Sequence, residues 1–309
     1  MKIAIIQNSP VYNDLQASLK KFKTLAQEAK SNQADLIVFG ECWLCGYPAW
    51  LDYSPGTGYW DHKPVKDVWA TMYNNGVDIQ DKSFQIILDT AKELSICIII
   101  GANEKISTGP GNGSLYNTVF TISKEGVLAN HHRKLMPTYT EKLVHGTGDG
   151  YGLKAVDTEF GRIGALICWE HWMPLTRQAM HEESEDIHIA LWPYVKEMHQ
   201  IASRQYAFEG RCYVVSVGQM MHVDQTPDGL ALPDHLKRAS DQWILIGGSC
   251  IIKPDGSFLM EPQYGINDIL YQDIENIHEF TGDNMNLSVS GHYNRPDVFD
   301  FKINKQRYY

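Results

Sequence analysis

Three reactive side chains each close a short apolar or strand-like run. "LIVFGE" ends in Glu41, "ANHHRK" ends in Lys134 and "GALIC" ends in Cys168. A thiol is a nucleophile, a carboxylate can accept its proton, and an ammonium can hold the anion that forms when the thiol attacks. Those parts suffice for acyl-type transfer. They also depend on one another, because a buried Glu and a buried Cys both resist ionising, whereas a lysine within a few Å favours the charged form of either. Taken singly, each has a plainer reading: Cys168 as a small core residue, Glu41 and Lys134 as surface charges or an ion pair.

Around these three lie aromatic candidates for an apolar pocket. Tyr47, Pro48, Trp50, Tyr53 and Trp60 crowd "GYPAWLDYSPGTGYWDHKP", Trp192, Pro193 and Tyr194 end a later strand, and Trp169 and Trp172 follow the cysteine. Core packing is the alternative for each. Cys42 and Cys45 have C-x-x-C spacing, but no second pair or downstream H-x-x-x-H completes a tetrahedral metal set. His131 and His132 are adjacent on a strand-like run, so they point to opposite faces. The run "HEESED" reads as a solvated helix end. No metal and no organic cofactor is expected.

The elements that must carry these residues show in the hydrophobic pattern. "KIAIIQ", "ADLIVFGE", "ICIIIGANE", "NTVFTIS", "RIGALICWE", "IHIALWP", "CYVVSVG" and "GGSCIIK" are short apolar runs bounded by turn residues, as buried strands are. Between the first two, Leu15, Leu19, Phe22, Leu25, Ala26 and Ala29 share one helical face behind an Asp14 or Asn13 cap. Helical patterns over 82–94, 175–183 and 197–209 alternate with later strands, and Pro254, Asp255 and Gly256 mark a hairpin turn. A mixed α/β sandwich follows, with ligand sites expected at strand ends. The stretches 46–64 and 220–242 read as loops with functional freedom. No linker-like tract or repeat divides the chain, so 1–309 reads as one domain, with about 280–309 an arm across its own surface or onto a neighbour.

The composition excludes several classes. The chain has 309 residues, 43% hydrophobic and 21% charged, with a formal net charge of -10. Its dispersed basic residues would not neutralise a phosphate backbone, so nucleic acid is not an expected partner. The apolar run in "MKIAIIQNSP" is too short for a signal-peptide core or a membrane span. Six scattered cysteines then read as reduced thiols in a cytoplasmic protein.

"GECWLCGYP", "HHRKLMPTYTEKLVHGTGDG", "GRIGALICWEHWMPL" and "GHYNRPDVF", in that order, resemble the four blocks of the nitrilase family. The resemblance implies a four-layer αββα sandwich that dimerises with its sheets stacked across subunits, often building into spiral homo-oligomers. It implies a Glu, Lys, Cys catalytic set on Glu41, Lys134 and Cys168, and places a second carboxylate, Glu141, beside the lysine. "CWE" after the nucleophilic strand resembles the nitrile-hydrolysing branch, so the expected partners are water and an aliphatic or arylaliphatic nitrile. The candidate substrate-binding residues are Trp169, Tyr47, Pro48, Tyr53, His145, Trp192 and Tyr194. His145 departs from the tryptophan many nitrilases carry there. Amidase, N-carbamoyl hydrolase and cyanide-hydrolysing activities are alternatives using the same three residues, and a non-catalytic scaffold is the alternative of another class.

Overall fold

Alternate residues of the first strands face two different cores, and that alternation builds the layers. In β1 (Lys2–Ile6), Ala4 and Ile6 pack under helices while Ile3 and Ile5 pack toward the opposite sheet. β2 (Leu36–Phe39) repeats this with Ile37 and Phe39 against Leu36 and Val38, and β3 (Cys97–Ile106) with Ile98 and Ile100 against Cys97 and Ile99. Period-two strands with both faces apolar must be covered on both sides. The computed structural model describes residues 1–237 and 242–308.

Among the described residues two mixed sheets form. The first adds β4 (Ser114–Ile122) and β5 (Leu128–Arg133) antiparallel beyond β3. The second is built on β6 (Val156–Thr158), β7 (Gly161–Ile167), β8 (Ile187–Leu191), β9 (Tyr213–Val217), β10 (Met220–His222), β11 (Trp243–Ile252) and β12 (Phe258–Tyr264). β13 (Ile269–Asp273) returns to the first sheet and pairs antiparallel with β1, Lys2 opposite Asp273. The parallel sets β1-β2-β3 and β7-β8-β9 form the two sheet centres.

Helices cover the outer faces. α1 (Leu15–Ser31) opens on Asp14, whose side chain accepts from the Ala17 N–H at 2.9 Å, and buries the expected stripe of Leu15, Leu19, Phe22, Leu25, Ala26 and Ala29. α2 (Lys63–Asn74) was not foreseen: only Val68 and Met72 of it are buried, too thin a stripe to show as periodicity. α3 (Lys82–Leu94) packs beside α1. α4 (Pro174–His181) and α5 (Glu197–Gly210) cover the second sheet, contributing Ala179, Met180, Ala202, Tyr206 and Ala207 to its core. The order helix, sheet, sheet, helix is the four-layer αββα sandwich the resemblance implies.

The loop expectations need adjustment. The stretch 220–242 begins as β10, paired with β11, and carries a short α6 (Asp234–Lys237); its residues 238–241 lie outside the described residues. "HEESED" is not a wholly solvated end. Glu185 is buried, bonded to His188 and Tyr206, because the chain turns there from α4 into β8 beneath α5. Past β13 the chain lacks sheet pairing among the described residues. Phe301 and Ile303 pack back onto the core, and Arg307 donates to the His131 carbonyl. Tyr309, the last residue of the arm, lies outside the described residues.

Candidate functional site

Each of the three reactive residues sits just past a strand: Glu41 after β2, Lys134 directly after β5 and Cys168 directly after β7. The turn at Glu41 presses so closely on β3 that a Cβ at Gly101 would overlap the Gly40 carbonyl and lie 2.7 Å from the Cys42 nitrogen. Only glycine fits there. At the second sheet, Cys168 opens a 3-10 turn (Cys168–Trp172) with φ of +53°, a left-handed conformation that costs a non-glycine residue on the order of 1 kcal/mol or more. Such strain persists only where the surroundings hold it.

Glu170 does much of that holding. Its carboxylate accepts from the Ile167 N–H at 2.7 Å, the Leu135 N–H at 2.8 Å and His132 Nε2 at 3.0 Å. One buried side chain thus joins the turn after β7 to the chain beyond Lys134. His132 supplies it from one face of β5, while His131 and Arg133 bond Glu104 on β3 from the other. The two histidines do point apart.

The Lys134 ammonium is wholly buried between two carboxylates, 2.8 Å from Glu41 Oε1 and 2.7 Å from Glu141 Oε2. Burial alone would lower its pKa; Cys168, Glu41 and Glu141 together push it well above the usual lysine value, so it stays charged. Burial likewise works against ionising Glu141, but Lys134 and His145 overcome it and hold this carboxyl below its usual range. Glu41 goes the other way. Burial raises it to about 7, against the pull of Lys134. Its Oε1 accepts from Asn117 Nδ2 at 2.7 Å as well as from Lys134, while its Oε2 has no hydrogen-bond partner among the described residues. The Cys168 thiol is pushed well above its ordinary value, first by burial and then by the Glu41 charge, with Lys134 and the Trp169 backbone N–H opposing. A protonated thiol beside a carboxylate that titrates near neutrality, with a permanent cation adjoining both, is equipped to transfer a proton as the sulfur attacks.

A cleft of about 560 Å³ opens onto this constellation. Cys168 and Glu141 line it, with Tyr47, Tyr53, Trp169 and Tyr194 among its walls. Tyr47 is more than an apolar wall, since its hydroxyl donates to Glu141 Oε1 at 2.7 Å. Glu41 and Lys134 sit beneath the floor. Pro48, His145 and Trp192 do not line the cleft. His145 is buried behind Glu141 with Nε2 donating to Asn103 at 2.8 Å, and burial holds it down to about 4. Trp192 is fully buried against Trp172 and His199.

The sequence reading missed Asp52, Thr140, Lys196, His199 and Leu245 as lining residues, and Asn117 as a Glu41 partner. Asn117 leaves a legible sign, an amide inside the apolar strand "SLYNTVFTI". The others carry none. Cys42 and Cys45 are separate buried thiols, and Cys45 donates to the Asn75 carbonyl. Among the described residues no group of three or more His, Cys, Asp or Glu is placed to hold a metal, and no helix is long and apolar enough to cross a membrane.

Among proteins of known kind, the chain is 33% identical to a prokaryotic protein named nitrilase 2, over 98% of this chain and 92% of that one. It is 33% identical to an arylacetonitrilase of Macrophomina phaseolina, over 99% and 92%, and 32% identical to an aliphatic nitrilase of Rhodococcus rhodochrous, over 99% and 83%. In structure it resembles a Saccharomyces cerevisiae member of branch 10 of the nitrilase superfamily, with a TM-score of 0.68 at 19% identity and 97% of each chain covered. With residues 2–277 matching the family described as carbon-nitrogen hydrolase, the chain belongs to that enzyme family.

Proposed function

We propose that this enzyme hydrolyses an organic nitrile, aliphatic or arylaliphatic, to the carboxylic acid and ammonia. The observation that carries the reading is the meeting of Glu41, Lys134 and Cys168 under one aromatic cleft. Relatives named as nitrilases at about a third identity over nearly the whole chain support it.

In this mechanism Glu41 takes the Cys168 proton as sulfur bonds to the nitrile carbon, and delivers it to nitrogen, giving a thioimidate. Lys134 and the Trp169 N–H meet the developing nitrogen charge. Glu41 then takes a proton from a water that adds to the thioimidate carbon and passes it to nitrogen, leaving a tetrahedral carbon bearing sulfur, hydroxyl and amino groups. Transfer of the hydroxyl proton through Glu41 to the amino group, with loss of ammonia, leaves a thioester. A second water, activated the same way, releases the acid and restores the thiol. If sulfur leaves instead of ammonia, the product is the amide. Glu141, fixed by Lys134, Tyr47 and the Thr138 N–H, keeps the cation aimed. Tyr53, Trp169 and Tyr194 contact the substrate's organic part.

We also place the enzyme in the cytoplasm as a homodimer that builds further. The unpaired cysteines support a reducing compartment, and exposed Leu175, Met198, Ile201 and Phe208 on α4 and α5 support an apolar contact between copies. The test is ammonia release from matched nitrile and amide pairs, including cyanide, an aliphatic dinitrile and an arylacetonitrile, with Cys168→Ala as blank. Release from nitriles that vanishes in the blank is expected; release from amides alone overturns the nitrile reading.

A further inference from the structure

Behind the nucleophile, a buried file of hydrogen bonds runs from the Cys168 backbone into the second sheet. His171 Nδ1 lies 2.7 Å from the Cys168 carbonyl oxygen, and His171 Nε2 lies 2.9 Å from His188 Nε2 on β8. His188 Nδ1 lies 2.8 Å from Glu185 Oε1, and the Tyr206 hydroxyl of α5 lies 2.5 Å from Glu185 Oε2. All four side chains are buried, and none belongs to the mechanism above.

We propose that Glu185, His188 and His171 are positioning residues that hold Cys168 in its left-handed conformation by forcing one tautomer along this file. The file has one fixed end. A carbonyl oxygen can only accept, so His171 carries its proton on Nδ1 and donates it to Cys168. His171 Nε2 is then a lone pair, and His188 must donate from its own Nε2. Burial keeps His188 neutral, so its Nδ1 is in turn a lone pair, which a carboxylate cannot face at 2.8 Å, and Glu185 is the neutral acid and donates from Oε1. Tyr206 donates to the remaining oxygen. With every group neutral, every atom in the file is satisfied only in this direction.

Three observations agree. Burial raises Glu185 to about 8 and lowers His171 to about 3, with His188 also well below its ordinary value. The groups facing Glu185 are Tyr206 of α5, His181 of α4, Glu183 in the following turn, Arg162 of β7 and Cys212 ahead of β9. Of these, His181 Nε2 is turned toward Glu209 at 3.5 Å and Arg162 Nε donates to the Glu183 carbonyl. The fold also makes room for the carboxyl. A Cβ at Gly164 on β7 would overlap Glu185 Oε1, so any side chain there expels it.

Ionisation of Glu185 would turn the file around. His188 would donate from Nδ1 to the carboxylate, His171 would donate from Nε2, and a lone pair would face the Cys168 carbonyl. The nucleophile would then lose the donor that fixes its turn. With Glu185→Gln the amide nitrogen donates and the amide oxygen accepts, so this variant copies the neutral acid without its titration. His171→Asn likewise returns a donor near the Nδ1 position.

This inference rests on the nitrile reading only for its kinetic arm. With an accepted nitrile, the parent enzyme is expected to lose kcat above about pH 8, and Glu185→Gln to keep most of the neutral kcat without that decline. His171→Ala should lower kcat about 100-fold with KM little changed, as a misplaced reacting group does, and His171→Asn should recover most of it. The second arm needs no substrate: imidazole ¹⁵N shifts at pH 7 should show His171 protonated on Nδ1 and His188 on Nε2. Reversed tautomers, an alkaline decline that survives Glu185→Gln, or a folded His171→Asn as slow as His171→Ala would each overturn the proposal. If the tautomers are as assigned and no nitrile is turned over, the substrate reading fails and the file stands.

Discussion

At the residue scale, function turns on which of two carboxyls beside one lysine is free to titrate. Glu141 is committed, for it accepts from Lys134, Tyr47 and the Thr138 N–H and is held below its usual range. Glu41 keeps one oxygen unbonded among the described residues and is raised by burial to about 7. In the proposed role of base it must be ionised before substrate binds, so kcat/KM should fall about tenfold per pH unit below about 7 and level off between about 7 and 8, where the alkaline decline tied to Glu185 sets in. A pH–rate profile checks both midpoint and slope; a profile flat down to pH 5 would remove Glu41 from the role. Glu41→Gln keeps the hydrogen bonds from Lys134 and Asn117 to its oxygen and loses the base. Turnover should drop by about a thousandfold or more with the melting temperature little changed. Cys168→Ser should do the same, since a hydroxyl at that site is a far poorer nucleophile at any pH in the range.

At the element scale, the site depends on strand ends staying in register, and one buried clamp secures the least regular of them. Glu104 on β3 accepts from Arg133 and His131 on β5 and from Thr118 on β4 between them. Burial alone would raise its pKa, but these donors lower it to about 2. A depressed carboxyl contributes stability that is fully present above its unfolded value near 4.5 and lost as pH falls toward 2. Glu104→Ala removes the buried carboxylate that Arg133 and His131 bond and should cost about 3–5 kcal/mol. Denaturant melts at pH 7 and pH 3 check it: the gap between parent and variant should narrow at the lower pH. The clamp also shows what sequence can and cannot disclose. β1, β2 and β3 were legible because burial on two faces makes a continuous apolar run, and α1 because burial on one face imposes a helical apolar period. Glu41, Lys134 and Cys168 were legible because reactive types closing those runs are rare in combination. Glu104 and Glu185 were not, since a buried polar residue is explained only by partners distant in sequence that the fold brings to it. Glu185 was misread for this reason, its charge-rich neighbours masking a partnership with His188 and Tyr206.

For the whole molecule, the segment after the last strand decides how the two sheets are tied together. Phe301 and Ile303 pack onto the core between the sheets, Lys305 pairs with Glu183 at 2.6 Å ahead of β8, and Arg307 reaches Asp149 at 3.2 Å and the His131 carbonyl on β5. The arm therefore spans from the end of α4 to the strand that delivers Lys134. Arg307 is the firmest of these ties, because its partner Asp149 is buried and also accepts from the Tyr308 N–H. Arg307→Ala should cost about 2 kcal/mol, as expected for hydrogen bonds to charged groups. Deleting residues 301–309 should cost more, since two half-buried apolar side chains go with it, each contributing part of the about 1.5–3 kcal/mol of full burial. If the arm serves its own subunit, sedimentation should show the oligomer unchanged while kcat falls with the loosened end of β5. Loss of oligomer on truncation, with the melting temperature unmoved, would instead mean that the arm's main contacts are made to a neighbouring copy. Paired measurement of mass and stability on the same truncated protein separates the two, because each arrangement moves one quantity and spares the other.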